Sequence, residues 1–596
     1  MHAAASHRTF GYALIILLAT AVVAHPGAQS WTTGIVVERD LPVRMRDGVV
    51  LYADVYRPAE TGRFPALLMR TPYNKEGATQ SGRQALTISA VRRGYVVVVQ
   101  DTRGQYKSEG RFVPYAQEVP DGHDTIEWVA RLPYVDGKVG TFGLSYPGAV
   151  QWMTAPTRPP HLVAMVPAMT FASHRHFFYH GGVFGAGIMN WLLGRQLRER
   201  RQLGLAPATS EALRAEWPRH GGEWQQFVPL GQLPVMKAFP YWAEWLDNPI
   251  ESDYWRPFDI EAQHDKVTVP ALNFTGWNDD SYGQPGAIRN FVGMRARGAT
   301  EQARRGQRLI IGPWTHGVPS LLRTAYRGVE FGHNAAIDFT EPQLRFFDYW
   351  LKQIDNGYSS EPPVRIFVMG DNVWRDEHEW PLARTQYADF YLQAGNRLSF
   401  TAPDDKTRAQ FVYDPRNPVR LPATDESGIR DWRVLTSRKD VLTYTTEPLE
   451  RDTELTGHLV ARLWISSTAP DTDFTVRAFD VDPAGRSWPL TSAPGVLRAR
   501  YRSTEDPQPP TPLPSGEPTE LTISLGYTSY VLKAGHRLQV FVTGSVFPNL
   551  HLNVWGPFKS WSQAVPATQT IYHDSAHPSR ITVPVIPRGT HATSTR

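Results

Sequence analysis

The sequence predicts an α/β protein whose sheet is interrupted by a helical insertion and followed by an all-β region. Three observations carry that prediction. Short apolar strands alternate with helical periodicity through the first 170 residues, the pattern of a doubly wound parallel sheet. A stretch rich in aromatics and arginines then breaks the alternation and resumes it after about residue 260. Beyond about residue 375, short alternating runs separated by turn residues take over, as in a β-sandwich.

The elements follow in order. Residues 31–58 alternate apolar and polar, with Asp47-Gly48 as a turn, and predict antiparallel strands. PALLMRTPY (65–73) is a short buried strand, and YVVVVQDTRG (95–104) a fully apolar one, as expected in the middle of a parallel sheet. DGHDTIEWVARL (121–132) has helical spacing, KVGTFGLSYPG (138–148) runs from strand into turn, and LVAMVPAM (162–169) is another strand. The segments NWLLGRQLRERRQLG, SEALRAEW and FPYWAEWLDN make 171–260 a helical insertion. Strands at 269–277 and 308–314 and helices near 285–299 and 341–354 complete the α/β pattern. Runs such as GHLVARLWISS, DFTVRAFDV and HRLQVFVTGS then predict the sandwich, and the Pro-rich stretch 505–518 a loop. The expected organisation is a leader at 1–24, a first α/β part at 31–170, the insertion at 171–260, a second α/β part at 261–374 and a β domain at 375–590.

Composition narrows the function. At 596 residues, 41% hydrophobic and 20% charged, the chain is long enough for three or four packed domains, and global disorder is excluded. Lys+Arg 62 against Asp+Glu 58 leaves +4 with no basic stripe, so nucleic acid is not an expected partner. Cysteine is absent, which excludes disulfide scaffolds, zinc–thiolate sites, iron–sulfur clusters and cysteine nucleophiles. Residues 11–24 are almost wholly apolar behind a single fixed charge, Arg8. Fourteen residues are too few for a comfortable span of about 20 and suit a signal peptide, with cleavage after Ala24 or, as a second candidate, Ala28. A short uncleaved anchor is the alternative. The expectation is an exported protein, periplasmic or extracellular, with no stable membrane span once the leader is removed.

The candidate chemistry centres on Gly143-Leu144-Ser145-Tyr146-Pro147-Gly148. It follows a predicted strand and precedes a predicted helix, the setting of a nucleophile elbow, in which a sharp turn lifts the serine oxygen clear of the sheet. The usual pattern is G-x-S-x-G; here Pro147 takes the second glycine's place and the glycine comes one position late, at 148. Downstream, Asp279 in GWNDD and His316 in GPWTHG lie in loops after successive predicted strands, where open α/β sheets place their sites. Their order, serine then acid then histidine, is that of α/β-hydrolases.

With these residues the sequence resembles the cocaine esterase/α-amino-acid ester hydrolase group, within the X-Pro dipeptidyl-peptidase-like (S15-type) serine hydrolases. The resemblance is carried by RTPYNK (70–75), DTRGQYKSEG (101–110), residues 121–148, TGWNDD, GPWTHG, GVLRARYRS and VLKAGHRLQV, and covers most of the chain after the leader. It implies an α/β-hydrolase domain with an inserted helical cap and a C-terminal jelly-roll (galactose-binding-like) domain. It also implies Ser145 as nucleophile, His316 as general base and Asp279 as orienting acid, with Asp280 the rival for that last role. The Tyr146 backbone N–H and the Tyr73 hydroxyl would form the oxyanion hole. No metal or organic cofactor is implied.

Amino-ester members hold the substrate ammonium with carboxylates just after the triad acid, where this chain has the uncharged Ser281 and Tyr282. The expected substrate is therefore a small acyl or aryl ester, or an amide. Trp277 and Trp314 flank the triad members and are candidates for the pocket wall, although core packing explains them equally well. His174, His176 and His180 cluster without a nearby acid, so the entrance of the site is a better reading than a metal centre. Arg195, Arg198, Arg200 and Arg201 read as a solvated helix face, and Asp121 and Asp124 as ordinary charges at a helix N-terminus. Rival functions are an X-Pro dipeptidyl-peptidase and a catalytically silent secreted binding protein. A homo-oligomer is compatible with the sequence.

Overall fold

The computed structural model describes residues 33–79, 83–195, 230–233, 236, 239–404, 406–423, 430–507, 509–547, 550 and 564–587. The apolar leader, with Arg8, lies outside them. Ten strands form the first sheet: β1 (Ile35–Arg44), β2 (Val50–Pro58), β3 (Phe64–Thr71), β4 (Val96–Asp101), β5 (Val135–Leu144), β6 (Leu162–Ala168), β7 (Leu272–Gly276), β8 (Arg308–Gly312), β9 (Val364–Val368) and β10 (Val373–Glu377). Their spatial order is β1-β2-β4-β3-β5-β6-β7-β8-β9-β10. From β4 through β9 neighbouring strands are parallel, and antiparallel pairs close both edges.

The apolar run of β4 has a direct structural consequence. All six of its residues are buried, and side chains alternate across the pleat. Val96 and Val98 therefore enter one core with Ile126, Val129, Val150 and Met153. Val97 and Val99 enter the other, with Ala90, Val91, Leu344, Phe347 and Leu351. Helices α2 (Glu118–Ala130) and α3 (Tyr146–Thr154) cover the first face, and α1 (Arg83–Arg92) with α5 (Thr340–Lys352) the second. A fifth helix, α4 (Pro285–Arg297), follows β7. The helices expected at 121–132, 285–299 and 341–354 are these, with ends that differ by up to three residues.

The insertion separates strands that are neighbours in space. Ala168 at the end of β6 pairs with Phe274 of β7, and Met165 with Ala271. Its described part holds a helix at Pro240–Asp247, a 3-10 turn at Asp253–Phe258 and a small hairpin of Tyr179–His180 with Val183–Phe184. An aromatic cluster of Phe178, Tyr179, Trp245, Trp255 and Phe258 ties these pieces together, with ring centroids 4.9–5.6 Å apart for the pairs Phe178–Trp245, Phe178–Phe258 and Tyr179–Trp255.

Strand β10 belongs to the first sheet, and the second sheet begins with Gln386–Gln393. The change of texture read at 375 thus falls inside the β9–β10 hairpin. Among the described residues the second sheet has twelve strands, and it is the C-terminal all-β domain. Its longest pair, Thr453–Ser467 against Thr519–Leu532, runs antiparallel. Leu455, Leu459, Ala461, Leu463 and Ile465 are buried at the two-residue spacing of a one-sided strand. Ion pairs tie this domain to the first, among them Arg375–Glu454 at 2.7 Å, Arg289–Glu505 at 2.8 Å and Lys533–Asp371 at 2.8 Å. The Arg498 N–H also reaches the Gly181 carbonyl of the insertion at 2.8 Å.

Candidate active site

Ser145 stands between β5 and α3 with φ 71° and ψ −127°, a region that residues with a Cβ rarely adopt. The turn is fixed from both sides. The Ser145 N–H donates to the Ala168 carbonyl at 2.9 Å, and its own carbonyl accepts from the N–H groups of Gly148 and Ala149 at 2.8 and 3.0 Å. Gly143 has φ 146°, and a Cβ there would lie 2.4 Å from the Pro147 Cβ. A Cβ on Gly148 would lie 2.7 Å from the Ala168 carbonyl oxygen. This accounts for the late glycine: the close approach to β6 occurs at 148, while Pro147 occupies the first helical turn, where a missing N–H costs nothing. Strain of this kind is worth on the order of 1–3 kcal/mol and persists only where the surroundings enforce it.

Asp279 and His316 leave the C-terminal ends of β7 and β8. Asp279 is fully buried. Its Oδ1 accepts the backbone N–H groups of Ser281 and Tyr282 at 2.9 and 3.1 Å, and the Nδ1 of His316 lies 3.2 and 3.3 Å from its two carboxylate oxygens. Asp280 turns the other way: its side chain is 47% exposed and sits 3.7 Å from Arg327. The acid in contact with the imidazole is therefore Asp279.

Tyr73 follows β3, and its hydroxyl accepts from the indole N–H of Trp191 at 3.2 Å. Tyr146 opens α3, so its backbone N–H lacks an intrahelical acceptor. Its side chain is buried and donates to Glu118 at 2.8 Å. Glu118 in turn meets Arg70 at 2.7 Å. Burial pushes the Glu118 carboxyl up despite that arginine.

Two further tyrosines at the site were not singled out as site residues in the sequence. The Tyr282 hydroxyl lies 2.9 Å from the Tyr115 hydroxyl. The Tyr282 ring is 5.3 Å from the His316 ring and stacks on Phe177 at 4.5 Å. Tyr115 has φ 67°, its ring stacks on Tyr146 at 4.2 Å, and its N–H donates to the Tyr146 hydroxyl at 2.8 Å. Burial raises both phenols, so they are neutral donors at ordinary pH.

Other expectations are corrected. Trp277 is 1% exposed and its indole N–H donates to the Phe367 carbonyl at 2.7 Å. Trp314 is 2% exposed, donates to the Ala335 carbonyl at 2.7 Å and stacks on Phe274. Each is a core side chain whose polar atom is already bound, so neither walls a substrate pocket. His174 is buried against Trp255 and bound to the Ile250 carbonyl at 3.0 Å. His176 has an acid after all: Glu261, distant in sequence, lies 3.5 Å away. His180 and His176 line a cleft, and among the described residues no three metal-ligating side chains converge. Asp121 and Asp124 do more than suit a helix dipole, since they pair with Arg103 at 2.6 Å and Arg46 at 2.7 Å. Arg195 ends the helix Ile188–Arg195, and Arg198, Arg200 and Arg201 lie outside the described residues.

A cleft lies where the insertion, the Asp279 loop and the β domain meet. Arg175, His176, Tyr282, Arg289, Glu505 and Tyr527 are among its lining residues. Tyr282 thus borders the cleft while its ring lies 5.3 Å from that of His316.

Comparison with known proteins assigns the chain. The X-Pro dipeptidyl-peptidase (S15 family) profile matches residues 47–318, and that of the X-Pro dipeptidyl-peptidase C-terminal non-catalytic domain matches residues 356–582. The cocaine esterase of Rhodococcus sp. (strain MB1 Bresler) is 34% identical over 93% of this chain and 99% of its own. The chain belongs to the S15 family. It is a serine hydrolase of that family. Among solved structures, an α-amino acid ester hydrolase superposes with TM-score 0.77 at 24% identity, covering 96% of this chain and 100% of that one. A CocE/NonD family hydrolase from Staphylococcus aureus superposes with TM-score 0.67 at 21% identity, covering 93% and 94%. These likenesses establish the S15 hydrolase fold with its all-β C-terminal domain.

Proposed function

We propose that this S15 hydrolase cleaves carboxylic esters, acyl or aryl, and also amides, through an acyl-enzyme on Ser145. The observation that carries the reading is the strained elbow at Ser145 together with the His316–Asp279 pair, all three following C-terminal ends of strands in one sheet. Ser145 Oγ attacks the carbonyl carbon while His316 Nε2 takes its proton. Asp279 holds the ring through Nδ1 and stabilises its positive charge. The oxyanion that forms is met by the Tyr146 backbone N–H and the Tyr73 hydroxyl, donors aimed where negative charge develops. Collapse breaks the bond to the leaving group, which receives the proton from His316. Water, deprotonated by the same imidazole, then attacks the acyl carbon and returns Ser145 to its free form.

An X-Pro dipeptidyl-peptidase needs an anion for the peptide N-terminus. Three carboxylates at this end of the sheet are otherwise engaged: Asp279 with His316, Asp280 facing Arg327, and Glu118 with Arg70 and Tyr146. That favours esters of uncharged acids. Rates on p-nitrophenyl acyl esters, amino-acid esters and X-Pro anilides test the choice: the acyl esters should be cleaved fastest, and a preference for the anilides would reverse the reading. The apolar stretch 11–24 supports export of the protein to the periplasm or the outside, where it acts on a small-molecule substrate.

A further inference from the structure

A buried charge in the β domain has no counter-charge. Arg477 is 6% exposed, and among the described residues it makes no ion pair. Its Nη2 donates to the backbone carbonyls of Thr491 and Ser492 at 3.4 and 3.2 Å, and its Nε, also buried, has no partner. The guanidinium lies 4.4 Å from the ring centre of Trp432. Its charged neighbours are the cations Arg327 and Arg430, and burial together with their repulsion pulls Arg477 down to about 9. It therefore stays protonated at neutral pH, and an unpaired buried charge is strongly destabilising until an anion meets it.

The register of the sheet sets further unpaired groups beside it, on the strands Val441–Thr445, Arg537–Thr543 and Asp473–Val481. Arg477 pairs with Phe541, and Phe541 with Thr443; in the next row Thr475 pairs with Thr543, and Thr543 with Val441. Paired residues, and residues two apart along a strand, share a face, so all six point the same way. On that face the buried hydroxyls of Thr443 and Thr475 also lack partners. Thr475, Arg477 and Phe541 line a pocket whose other walls include Val419, Leu435 and Trp432. The pocket thus offers a guanidinium and a hydroxyl among apolar walls.

We propose that this pocket binds a monocarboxylate with a short apolar or aryl tail, its carboxylate accepting from Arg477 Nε and Thr475 Oγ1 and its tail lying against Val419, Leu435 and Phe541. Nothing in the proposal depends on Ser145. Calorimetric titration of the whole protein with sodium benzoate tests it, with benzamide as the uncharged isostere. Benzoate should bind, and benzamide should bind weaker by on the order of tenfold, since it forfeits the charge-assisted bond. Arg477→Met keeps the length of the side chain and removes its charge; it should lose benzoate affinity on the order of tenfold while keeping its rate on an acyl ester. Thr475→Val, of the same shape, should weaken benzoate several-fold. Absence of benzoate binding, equal affinities for the two ligands, or an affinity unchanged in a folded Arg477→Met protein would overturn the proposal. If Arg477→Met does not fold, Thr475→Val decides, and an unchanged affinity there overturns it as well.

Discussion

His316 Nδ1 lies 3.2 and 3.3 Å from the two carboxylate oxygens of Asp279, almost evenly between them. The carboxylate is itself immobilised by two backbone N–H groups. An Asp279→Asn variant keeps the shape but presents an amide to the imidazole and disturbs its tautomer. Its kcat should fall on the order of 10⁴-fold. Asp280→Asn, which touches only the Arg327 side, should stay within a few-fold of wild type. Steady-state kinetics on one acyl ester compares the two directly; equal losses would mean that the acid is misassigned.

Tyr73→Phe removes one of the two proposed oxyanion donors and leaves the ring. The expected loss is on the order of 10²–10³ in kcat with little change in KM, because the donor acts on charge that exists only in the transition state. A KM effect alone would make Tyr73 a binding residue.

The tryptophans beside the triad act through stability. Trp314→Ala removes a ring stacked on Phe274 and leaves the Ala335 carbonyl without its donor. The cost should be about 3–5 kcal/mol, read as a lower urea midpoint. If instead KM rose at unchanged stability, Trp314 would belong to the pocket.

The fold should lose stability in mild acid through His174. Burial pushes this imidazole from its ordinary 6.5 down to about 4. Between those values the unfolded chain binds a proton that the native chain refuses, so stability falls as pH drops from 6.5 toward 4, by about 1.4 kcal/mol per pH unit. The stabilisation is fully present above 6.5. Urea midpoints of wild type and His174→Gln at pH 7.5 and 5 check the sign: the variant should lose less on acidification.

What could be read from the sequence was what is local. β4 announces its double burial in four consecutive valines, and the turn at Ser145 is written in small residues between strand and helix. Asp279 and His316 were findable because each follows a strand end directly. The tryptophans misled because sharing a loop is not sharing a face: the Asp279 N–H bonds back to the Gly276 carbonyl at 3.1 Å, and that tight turn separates Trp277 from its neighbour's direction. Tyr115 and Tyr282 meet across 167 residues, as His176 and Glu261 meet across the insertion. No periodicity encodes such encounters; they exist only once the chain has closed.

The central claim is that Ser145 is the nucleophile, and intact-mass analysis after treatment with a fluorophosphonate tests it most directly. The wild type should gain one adduct, mapping to the peptide that contains Ser145, and Ser145→Ala should gain none while keeping its unfolding midpoint. An adduct on a folded Ser145→Ala protein would contradict the account.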